Sequence, residues 1–129
     1  LVKPTEKSRV LDIGCGNGHH VNLLEKSGYK VEGVDKSGAM IKNAKKKYPS
    51  CKFKQGDVLE SMLYPRNSFS TITCLYFTIY YVTDKQLFLQ NCYNWLMPGG
   101  YLVLHLVNRD KFDQSTRCFR QRSFWSWKG

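Results

Sequence analysis

The sequence predicts an α/β fold, a three-layer sandwich built on a mainly parallel sheet. Short apolar runs of strand length alternate with segments patterned at helical spacing, acidic residues stand at the carboxyl ends of the first runs, and a glycine-rich loop joins the first run to a helix. Regular strand and helix alternation calls for parallel pairing through right-handed crossovers.

Val10, Leu11 and Ile13 form the first run, apolar as a strand buried on both faces must be, with Asp12 interrupting it near its carboxyl end. Gly14, Gly16 and Gly18 follow, removing three side chains from a loop that must turn tightly and admit a ligand to its backbone. A helix is expected from about Gly18 to Lys26, burying Val21 and Leu24 and stopping at Gly28. The second strand spans Lys30–Asp35 and ends on a carboxylate. A second helix, Gly38 to Lys47, puts Ile41, Ala44 and Tyr48 on one stripe, and Pro49 ends it. Residues 51–58 read as a third strand closing on Gly56-Asp57, and residues 69–76 as a fourth. The capping box Thr83-x-x-Gln86 opens a third helix that aligns Phe88, Cys92, Trp95 and Leu96 and is terminated by Pro98. The Pro98-Gly99-Gly100 turn then leads into a fifth strand, residues 101–107.

The glycine spacing separates two kinds of nucleotide-type site. A dinucleotide fingerprint, G-x-G-x-x-G/A, needs Gly or Ala at position 19, and His19 stands there. Leu11-Asp-Ile-Gly-Cys-Gly-Asn-Gly18 instead resembles motif I of the class I S-adenosylmethionine-dependent methyltransferases, whose domain is Rossmann-like. That resemblance implies transfer of a methyl group from S-adenosyl-L-methionine to an acceptor, leaving S-adenosyl-L-homocysteine. It implies that Asp12 and the loop Gly14, Cys15, Gly16, Asn17 and Gly18 hold the methionine moiety. Asp35 would bind the ribose with Lys36 and Ser37 flanking the adenine, Gly56, Asp57 and Val58 would meet the adenine edge, and Cys74, Leu75 and Tyr76 would border the methyl group. Independently of the family, Asp35 stands at about the ~20-residue distance at which nucleotide-binding α/β units place a ribose carboxylate.

There are departures from the family. Ser70 follows Phe69 where many members have Asp, and the Asn/Asp-Pro-Pro-Tyr/Phe motif of adenine-N6 enzymes is absent after strand four. Tyr80-Tyr81 occupies the place where many relatives carry two histidines, and no general base is assigned. Members usually have seven strands, the last two forming a hairpin beside strand five; only five are legible here, which suggests an incomplete or trimmed domain. Residues 1–110 are read as the cofactor-binding domain. Residues 111–129 are read as a basic, aromatic tail without strand alternation or helical period, one that folds back over the edge of strand five or stacks on single-stranded nucleic acid.

Composition bounds the alternatives. The chain has 129 residues and a formal net charge of +10, with Lys42, Lys45, Lys46, Lys47, Lys52 and Lys54 in one stretch. A solvated face explains such a run, and an anionic acceptor such as RNA would also suit it. The five cysteines form no C-x-x-C pair, so reduced thiols and a cytoplasmic setting are expected, with no metal site and no membrane segment. The acceptor is left open between small molecule, protein and RNA, with nucleic acid kept as a candidate partner. A non-catalytic scaffold or partner subunit, a nicotinamide-dependent oxidoreductase fragment, and a homodimer through an exposed fifth strand complete the set of expectations.

Overall fold

The computed structural model describes residues 8–75, 78–108, 113–120 and 126–128, with side chains described through residue 105. Five parallel strands form the body of the sheet: β1 (Arg9–Ile13), β2 (Lys30–Asp35), β3 (Lys52–Gln55), β4 (Phe69–Cys74) and β5 (Leu96–Asn108). Two further strands, β6 (Asp113–Arg120) and β7 (Ser126–Lys128), add antiparallel beyond β5, giving the order β3-β2-β1-β4-β5-β6-β7. The described residues therefore form seven strands where five are legible in the sequence. The last two stand beside β5, where the family resemblance places its closing hairpin. Residues 113–120 lack a strand pattern, but a strand with an unpaired edge offers backbone donors and acceptors that a following segment satisfies without side-chain alternation.

Among the described residues the α-helices are α1 (His19–Lys26), α2 (Gly38–Lys47) and α3 (Lys85–Trp95). Helices α1 and α2 cover one face of the sheet, Val21 of α1 and Ile41 and Ala44 of α2 sharing a buried cluster with Val10, Val31 and Phe53 of the strands. The other face buries Leu11, Ile13, Val34 and Ile72 beneath Phe88, Cys92 and Trp95 of α3. Three layers result. Phe88, Trp95 and Leu96 are fully buried, and each such side chain contributes about 1.5–3 kcal/mol over leaving it exposed.

Local chemistry sets the helix ends. Ser37 caps α2 by accepting from the Met40 amide, and Lys45, Lys46 and Lys47 sit in its last turn, where the helix dipole favours cations. The cap of α3 is Asp84, which accepts from the Leu87 amide, rather than Thr83. Nor does Pro98 terminate that helix. Leu96 is already extended, and β5 begins there. Between Leu96 and Tyr101 the register against β4 advances by only two residues, from Phe69 to Thr71, so the Pro98-Gly99-Gly100 segment bulges out of the ladder, with Gly99 at positive φ. Ser70 faces this irregularity and ties β4 to the start of β1, its hydroxyl accepting from the Arg9 amide and donating to the Arg9 carbonyl.

Among the described residues no helix is long and apolar enough to cross a membrane. Cys15, Cys51, Cys74 and Cys92 are buried and free.

Candidate functional site

The carboxyl ends of β1, β2 and β4 open onto one crevice, as expected of a parallel sheet whose order reverses between β1 and β4. The glycine loop crosses it. Gly14, Gly16 and Gly18 all have positive φ, at 70°, 54° and 83°, a region that residues with a Cβ enter only with strain. The Gly14 and Cys15 amides donate to the Val34 carbonyl, so the loop leaves β1 and hooks immediately over β2.

Asp35 fastens this arrangement. Its Oδ2 accepts from the Gly16 amide at 3.0 Å and its Oδ1 from the Ser37 amide at 2.9 Å, so one side chain joins the glycine loop to the start of α2. A carboxylate offers about four lone-pair sites. Two are used by backbone, leaving one on each oxygen for a ligand.

Two cavities flank Gly14. The first, about 270 Å³, is walled by Val34, Asp35, Lys36, Gly56, Asp57 and Val58 on the sheet side and by Thr78, Tyr81 and Val82 opposite. Asp57 Oδ1 accepts from the Leu59 amide, and Lys36 Nζ lies 3.7 Å from Asp57 Oδ2 in an exposed pairing. The Val58 carbonyl accepts from Asn91 Nδ2 at 2.9 Å, and the Ser61 carbonyl accepts from the Trp95 indole N–H at 3.2 Å, so buried α3 side chains hold the 57–61 loop in place.

The second cavity, about 230 Å³, is lined by Asp12, Cys15, Asn17, His19, His20 and Leu75. Asp12 is 4 % exposed, and its Oδ1 accepts from Thr73 Oγ1 at 2.8 Å. His20 Nδ1 lies 3.5 Å from the same oxygen, at pairing distance but without hydrogen-bond alignment. The Asp12 carboxylate at its Nδ1 raises the His20 pKa above the ordinary imidazole value, against the opposing effect of burial. Burial, reinforced by Asp12 and Asp35, pushes the Cys15 thiol up to about 12.

Of the residues singled out in the sequence, Asp12, Gly14, Cys15, Asn17, Asp35, Lys36, Gly56, Asp57, Val58 and Leu75 line one cavity or the other. Gly16 and Ser37 enter through their amides to Asp35. Gly18 caps α1 beneath Phe53, Cys74 lies wholly in the core, and Tyr76 falls outside the described residues. Sequence reading misses Thr78, Val82 and His20, and notes Tyr81 in the Tyr80-Tyr81 pair without giving it a place in the site. Nothing local in the chain marks Thr78 or Val82, whereas His20 carries a signal: an ionisable residue one position into the helix that follows the loop.

The methyltransferase domain family matches residues 10–100, a span that begins in β1 and ends at the Pro-Gly-Gly bulge.

The chain belongs to that family.

Within the methyltransferase family it is 34 % identical over 104 residues to the ubiquinone biosynthesis O-methyltransferase of Coxiella burnetii, a match covering 78 % of this chain and 44 % of that protein. It is 33 % identical over 102 residues to the dTDP-4-amino-2,3,4,6-tetradeoxy-D-glucose N,N-dimethyltransferase of Saccharopolyspora spinosa, covering 77 % and 40 %. The phosphoethanolamine N-methyltransferase 2 of Haemonchus contortus, solved with S-adenosyl-L-methionine, superposes with a TM-score of 0.75 at 25 % identity, over 82 % of this chain and 25 % of that one. The chain thus spans less than half the length of these relatives. The fold is the class I, Rossmann-like methyltransferase fold.

Proposed function

We propose that this chain forms the S-adenosyl-L-methionine-binding part of a methyltransferase. The observation that carries the reading is Asp35, which holds the glycine loop by one oxygen and α2 by the other and keeps one acceptor site free on each, the valence a vicinal diol requires. In this reading Asp35 binds the ribose. Asp57 and the Val58 amide read the adenine in the first cavity, and the glycine loop with Asp12 holds the amino-acid end in the second. The fit is supported by the two cavities sharing Ile13 and Gly14 in their walls.

Bound there, the cofactor supplies an electrophilic methyl group on a sulfonium. The protein's contribution is alignment and exclusion of water. Leu75, at the end of β4 and in the wall of the second cavity, contributes an apolar border on the side from which an acceptor approaches. The acceptor is unassigned: one relative is named for an oxygen and another for a nitrogen acceptor. The four buried free cysteines support a reducing, cytoplasmic setting.

Titration calorimetry of the chain with S-adenosyl-L-homocysteine and, separately, NAD tests the cofactor reading. Binding of the first and not the second is expected; the reverse preference would favour an oxidoreductase and overturn it. Transfer of label from methyl-labelled donor into small-molecule, protein and RNA pools tests turnover, and binding without transfer would identify a scaffold.

A further inference from the structure

The cavity beyond Gly14 holds a carboxylate and an imidazole side by side, Asp12 and His20, which the reading above leaves half used. Asp12 is a buried carboxylate with a single hydroxyl donor, Thr73 Oγ1. A buried carboxylate with so few donors calls for a compensating charge. His20, on the first turn of α1, is the only basic side chain besides His19 in this cavity wall. Its Nδ1 is buried 3.5 Å from Asp12 Oδ1. With Nδ1 turned to Asp12, the other ring nitrogen, Nε2, is the one available to a ligand. The first turn of α1 carries no acidic residue and Gly18 no side-chain cap, so the helix itself supplies no anion to compete for its start. A carboxylate beside an imidazole that, once protonated, is a cation forms the complement of a zwitterion, whose ammonium and carboxylate sit on one carbon.

We propose that His20 is the binding residue for the α-carboxylate of the cofactor's amino-acid end, donating from Nε2 while Asp12 takes the ammonium; this rests on the S-adenosyl-L-methionine reading above. The imidazolium form is the competent one, because it is a donor at both nitrogens and pairs with two carboxylates at once, Asp12 through Nδ1 and the ligand through Nε2. Asp12 sustains that form by its proximity. Neutral His20 would have one donor for two anions.

The test is a ligand-by-variant cycle on the full chain, read by calorimetry. The ligands are S-adenosyl-L-homocysteine, its decarboxylated analogue S-adenosyl-3-thiopropylamine, and 5′-methylthioadenosine, which lacks the amino-acid end altogether. The wild-type chain is expected to bind the homocysteine form roughly tenfold or more tightly than the decarboxylated analogue, the scale of one charge-assisted hydrogen bond. His20→Gln, close in length but neutral, is expected to lose that preference and to bind both within about twofold, while its affinity for 5′-methylthioadenosine stays at the wild-type level. His20→Arg, which keeps a cation, should restore part of the preference. A His20→Gln chain that keeps the wild-type preference overturns the proposal. So does a wild-type chain with no preference, a result that needs no variant to fold. Wild-type binding of 5′-methylthioadenosine with no carboxylate preference would defeat the His20 role and spare the cofactor reading; failure to bind any of the three would defeat the cofactor reading itself.

Discussion

Asp35 shows why a single side chain here cannot be assigned one duty. Its two oxygens each hold a backbone amide, from Gly16 and from Ser37, so removing the carboxylate releases the loop as well as any ribose. Asp35→Ala is expected to lower thermal stability by roughly 1–3 kcal/mol, as amides lose their partners, in addition to weakening S-adenosyl-L-homocysteine binding. Unfolding curves and calorimetry on the same variant separate the two. An unchanged melting temperature would show that the loop does not depend on Asp35.

The three loop glycines differ in what a Cβ would meet. At Gly18 it would fall 2.4 Å from Phe53 Cζ, at Gly14 2.5 Å from Thr78 Cγ2, and at Gly16 3.4 Å from Met40 Cε. All three substitutions carry the positive-φ strain of about 1–2 kcal/mol, but only the first two add a clash. Gly16→Ala is therefore expected to be the mildest for stability, and denaturant midpoints ranking it below either of the others would refute that order. Thr78→Gly should relieve part of the Gly14→Ala cost by emptying the space over the loop.

The thiols make a pH prediction. Desolvation by burial, with Asp12 adding to it, holds Cys74 at about 12, and Cys15 is held at the same height in the loop. Their folded pKa values lie above the ordinary thiol value of 9.0, so the folded state keeps protons that the unfolded state releases. Stability is thus unaffected below about pH 9 and falls as pH rises from there toward about 12. Alkylation by iodoacetamide at pH 8 should be slow at both sites in the native chain and rapid after denaturation; fast native labelling of Cys15 would mean that the loop opens.

At the scale of elements, α3 acts on the crevice without lining it. Asn91 and Trp95 are buried at 1 % and 0 % exposure, and their side-chain N–H groups donate to the Val58 and Ser61 carbonyls. The helix itself is set by Asp84 at its cap and by the stripe of Phe88, Cys92 and Trp95 against the sheet. Asn91→Leu keeps the branched outline of the side chain, with some added bulk, and removes the donor. It is expected to cost about 1–3 kcal/mol for the unpaired carbonyl and to weaken 5′-methylthioadenosine binding through the displaced 57–58 loop. Unaltered affinity for that ligand would confine Asn91 to stability.

Over the whole molecule, the question is how the sheet ends. From sequence, β5 presents an apolar edge with nothing recognisable beside it. Residues 113–120 pair with it in antiparallel register from Tyr101↔Arg120 to Asn108↔Asp113, and association of two copies through that edge would first have to displace β6. Deleting residues 112–129 is expected to bare the edge and drive dimers or aggregates, measurable by light scattering. A truncated chain that stays monomeric with the same melting temperature would show that β6 contributes little. The side chains of the tail's aromatic residues, Phe119, Phe124, Trp125 and Trp127, lie outside the described residues.

The sequence by itself determined the parallel strands and the three helices, because each is written locally. Apolar periodicity marks Val10–Ile13 and the stripes of α2 and α3, and backbone sterics oblige the loop at 14, 16 and 18 to be glycine, as their positive φ angles bear out. It also placed carboxylates at the ends of β1 and β2, since strand ends in a parallel sheet converge whatever their separation in sequence. Tertiary structure alone decided what those carboxylates touch. Thr73 reaches Asp12 across 61 positions, Asn91 reaches Val58 across 33, and the Asp35 link to Gly16 spans 19. No local pattern encodes a contact between side chains on different elements. Nor does one encode β6, whose pairing is set by backbone hydrogen bonds to the free edge of β5, which any residue except proline can supply.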